Sequence, residues 1–131
     1  MLVEHARNLA GIHDAQHDEY GRPGTPVISL LACSLDDHTI TVDLTTGSRL
    51  AQLHGAQQAI ERTTCRYGLT PAVQHIAAEF GMRVAAVDDT GEVRAVERPE
   101  HPFFVGTLYQ PQLTSTESAP HPVFLGLLNA T

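Results

Sequence analysis

The chain has 131 residues, a length that suits one domain with a modest core. Its formal net charge is −7, and its 8 basic residues are all arginines scattered along the chain, so no basic surface for nucleic acid is indicated. No apolar run is long enough for a membrane span, the start does not resemble a secretory signal, and 2 cysteines do not make a disulfide framework. These features favour a cytoplasmic globular protein that binds neither nucleic acid nor membrane.

The chain is expected to open with a helix and a loop. Apolar residues recur at helical spacing up to Ala10, and Gly11 is a favourable helix C-cap. Residues 12–26 are polar and rich in turn-forming residues, which predicts a loop. His13 and His17 would share one face if this segment were helical, as in zinc hydrolases, but its glycines and prolines disfavour a helix. No third ligand is evident, so no metal site is predicted.

The next segments alternate between strand and helix. Val27–Leu35 is apolar and predicts a strand, in which Cys33 would be a small buried hydrophobe. Alternation over His38–Leu44 predicts an antiparallel strand. A short helix is then expected between two capping residues, Ser48 and Gly55.

Residues 59–67 predict a further strand, which carries Cys65 beside Arg66. A neighbouring cation lowers the pKa of a thiol, so Cys65 is a candidate nucleophile. The pattern disfavours this role, because no histidine is assigned to activate the thiol.

The remaining predicted elements include a last strand that is followed by two polar residues, Gln110 and Gln112. The patterns predict a helix over 71–80, a hairpin of 82–87 and 92–97, a strand over 103–109 and a closing helix over 121–128. In a parallel α/β sheet, ligands collect at the carboxyl ends of strands. Gln110 and Gln112, on either side of Pro111, therefore stand where chemistry would be expected. Both are amides, which do not titrate near neutral pH.

Three motifs carry a family resemblance. They read EHARN at 4–8, ERTTCRY at 61–67 and HPFFVGTLYQP at 101–111. In this order and at these separations, they resemble the glutaminase domain of CTP synthase, a class I glutamine amidotransferase. CRYGLTP and LYQP also resemble the free-standing CTP synthase C-terminal region-related (seleno)proteins, which are closest. The resemblance implies an α/β fold: the C-terminal part of a flavodoxin-like, α/β/α domain with antiparallel strands added.

The resemblance also assigns site residues. Glu19, in Asp18-Glu19-Tyr20, is similar to the family glutamate that recognises the α-amino group of glutamine. Arg66 matches the residue that helps to hold the glutamine carboxylate, and Tyr67 follows it in the same motif. Gln110 and Gln112 stand where the family has the catalytic histidine and its orienting glutamate. The implied ligand is L-glutamine or a similar amino acid, with a synthetase chain as a further partner and no cofactor.

The family nucleophile, a cysteine on a tight strand-to-helix turn, would fall shortly before Met1. Residues 1–131 are therefore expected to form a partial domain that lacks the N-terminal strands and the nucleophile elbow. A partial domain would have unpaired strand edges and is expected to be marginally stable and prone to aggregate. We also expect the upstream DNA to encode the missing half, with cysteine or selenocysteine at the elbow.

Several functions remain open at this point. The resemblance implies glutamine hydrolysis that supplies ammonia for the conversion of UTP to CTP. The residues present predict that the chain as given is catalytically inactive. A non-catalytic amino-acid-binding or regulatory module and a truncated gene-model fragment are the alternatives. A metal hydrolase built on His13 and His17 is the most distant one.

Overall fold

A computed structural model of the chain describes residues 1–31 and 38–131. None of its described helices is both long and apolar enough to cross a membrane. Two one-turn 3-10 helices lie at Asp18–Tyr20 and Pro111–Leu113. In chain order, the other elements are α1 (Leu2–Asn8), β1 (Ala15–His17), β2 (Thr25–Leu30), β3 (His38–Leu44), α2 (Arg49–His54), β4 (Gln58–Thr63), β5 (Tyr67–Leu69), α3 (Pro71–Glu79), β6 (Arg83–Asp88), β7 (Val93–Glu97), β8 (Val105–Thr107) and α4 (Pro122–Asn129).

The described strands form two sheets. Five strands in the order β4-β3-β6-β7-β8 make an antiparallel sheet. A smaller sheet has the order β1-β2-β5, in which β1 pairs with β2 in parallel and β5 pairs with β2 in antiparallel fashion. The predicted α/β class with added antiparallel strands is confirmed, and β1–β2 is the single parallel pair among the strands described.

Two hydrophobic cores lie on opposite faces of the five-stranded sheet. Neighbouring residues of β7 show the division, because Val96 belongs to the first core and Ala95 to the second. The first core also takes residues from α1, the smaller sheet and α3. The second core takes residues from β3, α2 and β6, together with Tyr109. The result is a layered arrangement with the large sheet in the middle.

Local signals correctly predicted β3, α2 and the β6–β7 hairpin. The Ser48 hydroxyl accepts a hydrogen bond from the Ala51 N–H, and Gly55 ends α2 with a φ of 62° that favours glycine. A tertiary contact supplements these caps. The buried Glu97 carboxylate accepts the N–H groups of Arg49 at 3.1 Å and Leu50 at 3.3 Å, and it pairs with Arg83.

The predicted loop over residues 12–26 is wrong in part. Ala15–His17 forms β1 because it pairs with β2, and Ala15 is fully buried in the first core. A strand this short, with polar neighbours, has no periodicity that could reveal it. The neighbouring prediction of a strand over 27–35 is confirmed to Leu30, whereas Cys33 lies outside the described residues.

The predicted strand over residues 59–67 is broken in two. β4 ends at Thr63 and β5 begins at Tyr67. In between, side chains replace the strand partners: Thr63 Oγ1 accepts the Cys65 N–H at 3.1 Å. Gln110 Oε1 accepts the Thr64 N–H at 2.8 Å. Backbone donors that find side-chain acceptors have no need of a neighbouring strand.

The predicted strand over 103–109 is paired only at Val105–Thr107, and its partner β7 runs antiparallel to it. Gln110 and Gln112 therefore do not follow a parallel strand. Pro111 ends the pairing as expected and also begins a 3-10 helix, for which Gln110 is the N-cap residue.

Candidate functional site

A cavity of about 230 Å³ lies between the start of α1, β5 and the β7–β8 pair. Its wall is largely apolar, and it abuts the first core. Polar groups enter the wall at four positions, which are His17, Cys65, Tyr67 and Thr107. An apolar pocket with a few polar groups is the usual form of a small-molecule site.

Gly106 allows the chain start to close one side of this cavity. The Met1 side chain lies so near that a Cβ at Gly106 would stand 2.0 Å from the Met1 Cε. A side chain at Gly106 would therefore have to displace the end of the Met1 side chain. Such a displacement costs little, because an unbranched thioether adapts readily to its surroundings.

His17 joins the two segments that the resemblance assigned to glutamine binding. Its ring lies 4.8 Å from the Tyr67 ring and 5.5 Å from the Tyr20 ring, centroid to centroid. Its Nδ1 accepts the Glu19 N–H at 3.2 Å, so the ring proton is assigned to Nε2. The 3-10 helix that carries Glu19 and the start of β5 therefore meet at His17.

The predicted glutamine-binding residues differ in their surroundings. Tyr67 is half-buried and lines the cavity. Glu19 and Arg66 are exposed and are not among the lining residues, although each is adjacent in sequence or structure to one of them. The Arg66 carbonyl accepts the Leu31 N–H at 2.8 Å, which fixes its backbone. That Glu19 and Arg66 bind the same amino acid together stays a prediction.

Gln110 and Gln112 have different environments. The Gln110 side chain accepts the Thr64 N–H, and its own backbone N–H donates to the Arg62 carbonyl at 3.0 Å. The first of these hydrogen bonds connects residues 64–66, which separate β4 from β5, to the turn that follows β8. Gln112 is exposed in the 3-10 helix. Neither amide can take up a proton near neutral pH.

Cys65 and His17 line the same cavity, which revives the question of a nucleophile. The Cys65 thiol donates to the Tyr67 carbonyl at 3.4 Å. The lone pair of His17 Nδ1 is already used by the Glu19 N–H, and Nε2 carries the proton. His17 therefore has no free base to offer the thiol in this arrangement. His13 is exposed in a turn rather than on a helix face shared with His17.

A second group of ionisable side chains is buried between α2, β4 and the start of α4. His121 Nε2 lies 2.8 Å from Glu61 Oε1, and His54 Nε2 lies 3.8 Å from the same oxygen. We call His54, Glu61 and His121 the Glu61 cluster. His121 Nδ1 accepts the Val123 N–H at the start of α4, so His121 Nε2 is assigned as the donor to Glu61.

Two buried polar atoms in this part of the molecule have no hydrogen-bond partner among the described residues. They are His54 Nε2, which lies 3.8 Å from Glu61 Oε1, and the hydroxyl of Tyr109, whose ring lies 6.4 Å from the His121 ring, centroid to centroid. Burial lowers the pKa of His54, with Glu61 opposing and His121 adding to this effect. Burial, and then the Glu61 charge, raise the pKa of Tyr109. The Glu61 cluster escaped the sequence reasoning, because His121 is 60 positions from Glu61 and no short motif joins the members.

No protein-family profile matches the chain. Curated relatives are CTP synthases. The enzyme of Azospirillum brasilense is 31% identical over 98% of this chain and 28% of its own length. That of Synechococcus sp. (strain WH7803) is 37% identical over 98% of this chain and 26% of its own length. The chain thus spans about a quarter of these relatives.

Solved structures agree with these relatives. The glutaminase domain of Trypanosoma brucei CTPS, with bound acivicin, matches 98% of this chain and 55% of that chain at a TM-score of 0.91 and 26% identity. A GMP synthase component of Thermoplasma acidophilum shares the fold, with a TM-score of 0.58 over 79% of this chain and 47% of its own at 10% identity. In both sequence and fold, the chain is similar to the glutaminase domain of CTP synthase, and its fold is of the class I glutamine amidotransferase-like type.

Proposed function

We propose that the chain is a glutamine amidotransferase-like module of the cytoplasm that binds L-glutamine or a similar amino acid and does not hydrolyse it alone. The observation that carries the binding part is the close fold match to a glutaminase domain that holds acivicin, a glutamine analogue. The prediction that the chain does not hydrolyse glutamine rests on the amide side chains of Gln110 and Gln112.

The ligand would lie at the mouth of the cavity beside Tyr67. Glu19 would bind its ammonium group, because a carboxylate forms charge-assisted hydrogen bonds with a cation. Arg66 would bind its carboxylate, since the planar guanidinium fits two oxygens. The His17 ring supports this arrangement, because it links the two segments through its contacts with Glu19 and Tyr67.

Hydrolysis would need a base, and the residues at the corner do not supply one. The Gln110 amide accepts a backbone N–H and cannot take a proton from a thiol. Gln112 cannot stabilise an imidazolium as a carboxylate does. Changing the orienting acid of a catalytic triad to an amide alone costs about 10⁴ in rate. We therefore assign binding, and the regulation that binding permits, to this chain, with a synthetase chain as its expected partner.

Binding is tested by calorimetric titration with L-glutamine, with D-glutamine as the control ligand. We expect Glu19→Gln and Arg66→Lys each to weaken binding of L-glutamine, by about tenfold or more for a lost charge-assisted contact. Asp18→Asn is the matched control, because Asp18 is an exposed acid in the same 3-10 helix, and it should bind like the unmodified chain. Equal binding by all variants, or no binding by the folded chain, would contradict the proposal.

Catalysis is tested by the release of ammonia from L-glutamine. We expect none above the background rate from the purified chain. The alternative is a replacement nucleophile at Cys65, which lines the same cavity as His17, and Cys65→Ala tests it directly. Ammonia release that Cys65→Ala abolishes would establish that alternative and overturn the assignment of a purely binding module.

A further inference from the structure

We propose that the Glu61 cluster is a structural site for one divalent transition-metal cation, of which Zn²⁺ fits best. His54, Glu61 and His121 each offer one ligand atom, and these atoms all lie within 4.8 Å of one another. Two imidazoles and one carboxylate are a donor set typical of zinc. The site is separate from the proposed amino-acid site, because none of these three residues lines the cavity beside Tyr67.

Two of the three spacings between ligand atoms lie near those of tetrahedral coordination, and the two histidine nitrogens lie within 4.8 Å of each other. Zinc–ligand distances of roughly 2.0–2.2 Å place neighbouring ligand atoms about 3.3–3.6 Å apart. The distances of 2.8 Å and 3.8 Å from Glu61 Oε1 to the two Nε2 atoms bracket that range. Small side-chain movements would therefore bring the three ligand atoms into three of the four tetrahedral positions around the cation.

An unpartnered nitrogen is the independent observation that points to a cation. His54 Nε2 is buried and faces the Glu61 carboxylate, yet it has no hydrogen bond within the described part of the chain. The Tyr109 ring lies 6.4 Å from the His121 ring, and its buried hydroxyl has no partner among the described residues either. Buried polar atoms are usually paired, and a cation at the Glu61 cluster would pair His54 Nε2. A cation would use His54 directly and leave its fourth position to the Tyr109 oxygen or to a water molecule.

The surroundings favour a structural role over a catalytic one. Glu61 and His121 are almost completely buried, and His54 is only 11% exposed. Thr114 Oγ1 donates to the other Glu61 oxygen at 3.4 Å and would orient the carboxylate from outside the coordination sphere. The cation would thereby tie α2, β4 and the start of α4 together.

Binding must move one proton. In the metal-free chain, His121 Nε2 donates to Glu61, and Nδ1 accepts the Val123 N–H. Coordination through Nε2 transfers the ring proton to Nδ1 and ends that cap of α4. The loss of one cap is small beside the free energy of zinc coordination. This change of tautomer is a signature that a merely structural His–Glu hydrogen bond would not produce.

The test uses the full chain, purified with a chelator and then titrated with Zn²⁺. We expect one Zn²⁺ per chain, a higher melting temperature and a loss of affinity of about 100-fold or more in His54→Ala. His13→Ala is the matched control, since His13 is exposed and remote from the cluster in sequence, and it should bind Zn²⁺ normally. Glu61→Gln keeps the shape of the side chain but should also weaken binding.

Nitrogen-15 spectra of the histidine rings test the site in the unmodified chain, even where a variant fails to fold. We expect Zn²⁺ to shift the Nε2 signals of His54 and His121 and to move the His121 proton to Nδ1. No stoichiometric binding, or binding without these shifts, would overturn the proposal and leave a water molecule as the species beside Glu61. Equal affinity in folded His54→Ala would also overturn it.

Discussion

The cavity beside Tyr67 and the Glu61 cluster lie close in sequence along β4 and β5 but differ in how they hold polar groups. In the first region, the residues that match the family motifs are exposed, as Glu19 and Arg66 are, or half-buried, as Tyr67 is. In the second, three ionisable side chains are buried together. A family motif thus identifies positions in the sequence, whereas burial determines where electrostatic interactions contribute most to stability. Substitutions in the two regions should therefore differ in their cost.

The largest expected effect is on the Glu61 cluster. Glu61→Ala leaves the buried His121 Nε2–H without its acceptor, and we expect the free energy of unfolding to fall by about 3 kcal/mol. Urea denaturation of the metal-free chain measures this. Glu117→Ala is the matched control, because Glu117 is exposed, and it should change stability by less than about 0.5 kcal/mol. Equal effects of the two substitutions would remove the contrast between the regions.

A smaller effect is expected at the corner after β8. Gln110→Ala removes the acceptor of the Thr64 N–H, and because this exposed donor can bond to water instead, the loss should cost only about 0.5–1 kcal/mol. The exposed Gln112 supplies the control, since Gln112→Ala should be close to neutral. The comparison would be reversed by a Gln110→Ala variant less stable than Glu61→Ala in the same denaturation experiment.

The substitution Tyr109→Phe should act in the opposite direction. It removes a buried hydroxyl that has no partner in the described parts of the chain, 1–31 and 38–131, and keeps the ring in the second core. Relief from this burial should raise the free energy of unfolding of the metal-free chain by up to about 1 kcal/mol. A clear loss of stability would instead indicate that the hydroxyl holds a partner such as a water molecule.

The smallest expected effect is on the pH dependence of stability. Burial lowers the pKa of His54 in the folded chain, so below about pH 6.5 the unfolded chain binds more protons than the folded one. Stability should therefore fall as the pH is lowered from about 7.5 towards about 5.5, and the lowered pKa of His5 acts in the same direction. His54→Gln should reduce this fall in melting temperature. His13→Gln should leave the slope unchanged, and an unchanged slope in both would contradict the assignment.

Elements of the fold could be predicted from the sequence where neighbouring residues determine them, and could not where contacts between distant residues do. Ser48 and Gly55 fix the ends of α2 by contacts within a few residues, so α2 was predictable. The break between β4 and β5 was not, because it depends on Gln110, which is 46 positions from Thr64. Of the residues that the family motifs named, Tyr67 lies on the cavity wall, and its role in binding stays a prediction. They could not reveal the Glu61 cluster, whose members meet only through tertiary packing.

The contact between Glu97 and α2 has a consequence for the order of folding. A helix of six residues is too short to persist alone in water, and the first N–H groups of α2 are held by a carboxylate from β7, 47 and 48 positions away. We therefore expect α2 to form only after the β6–β7 hairpin has brought Glu97 into place. In kinetic terms, substitutions in α2 should mainly speed unfolding and leave the folding rate almost unchanged. Hydrogen exchange at the Leu50 amide would then report the opening of the hairpin rather than fraying of the helix.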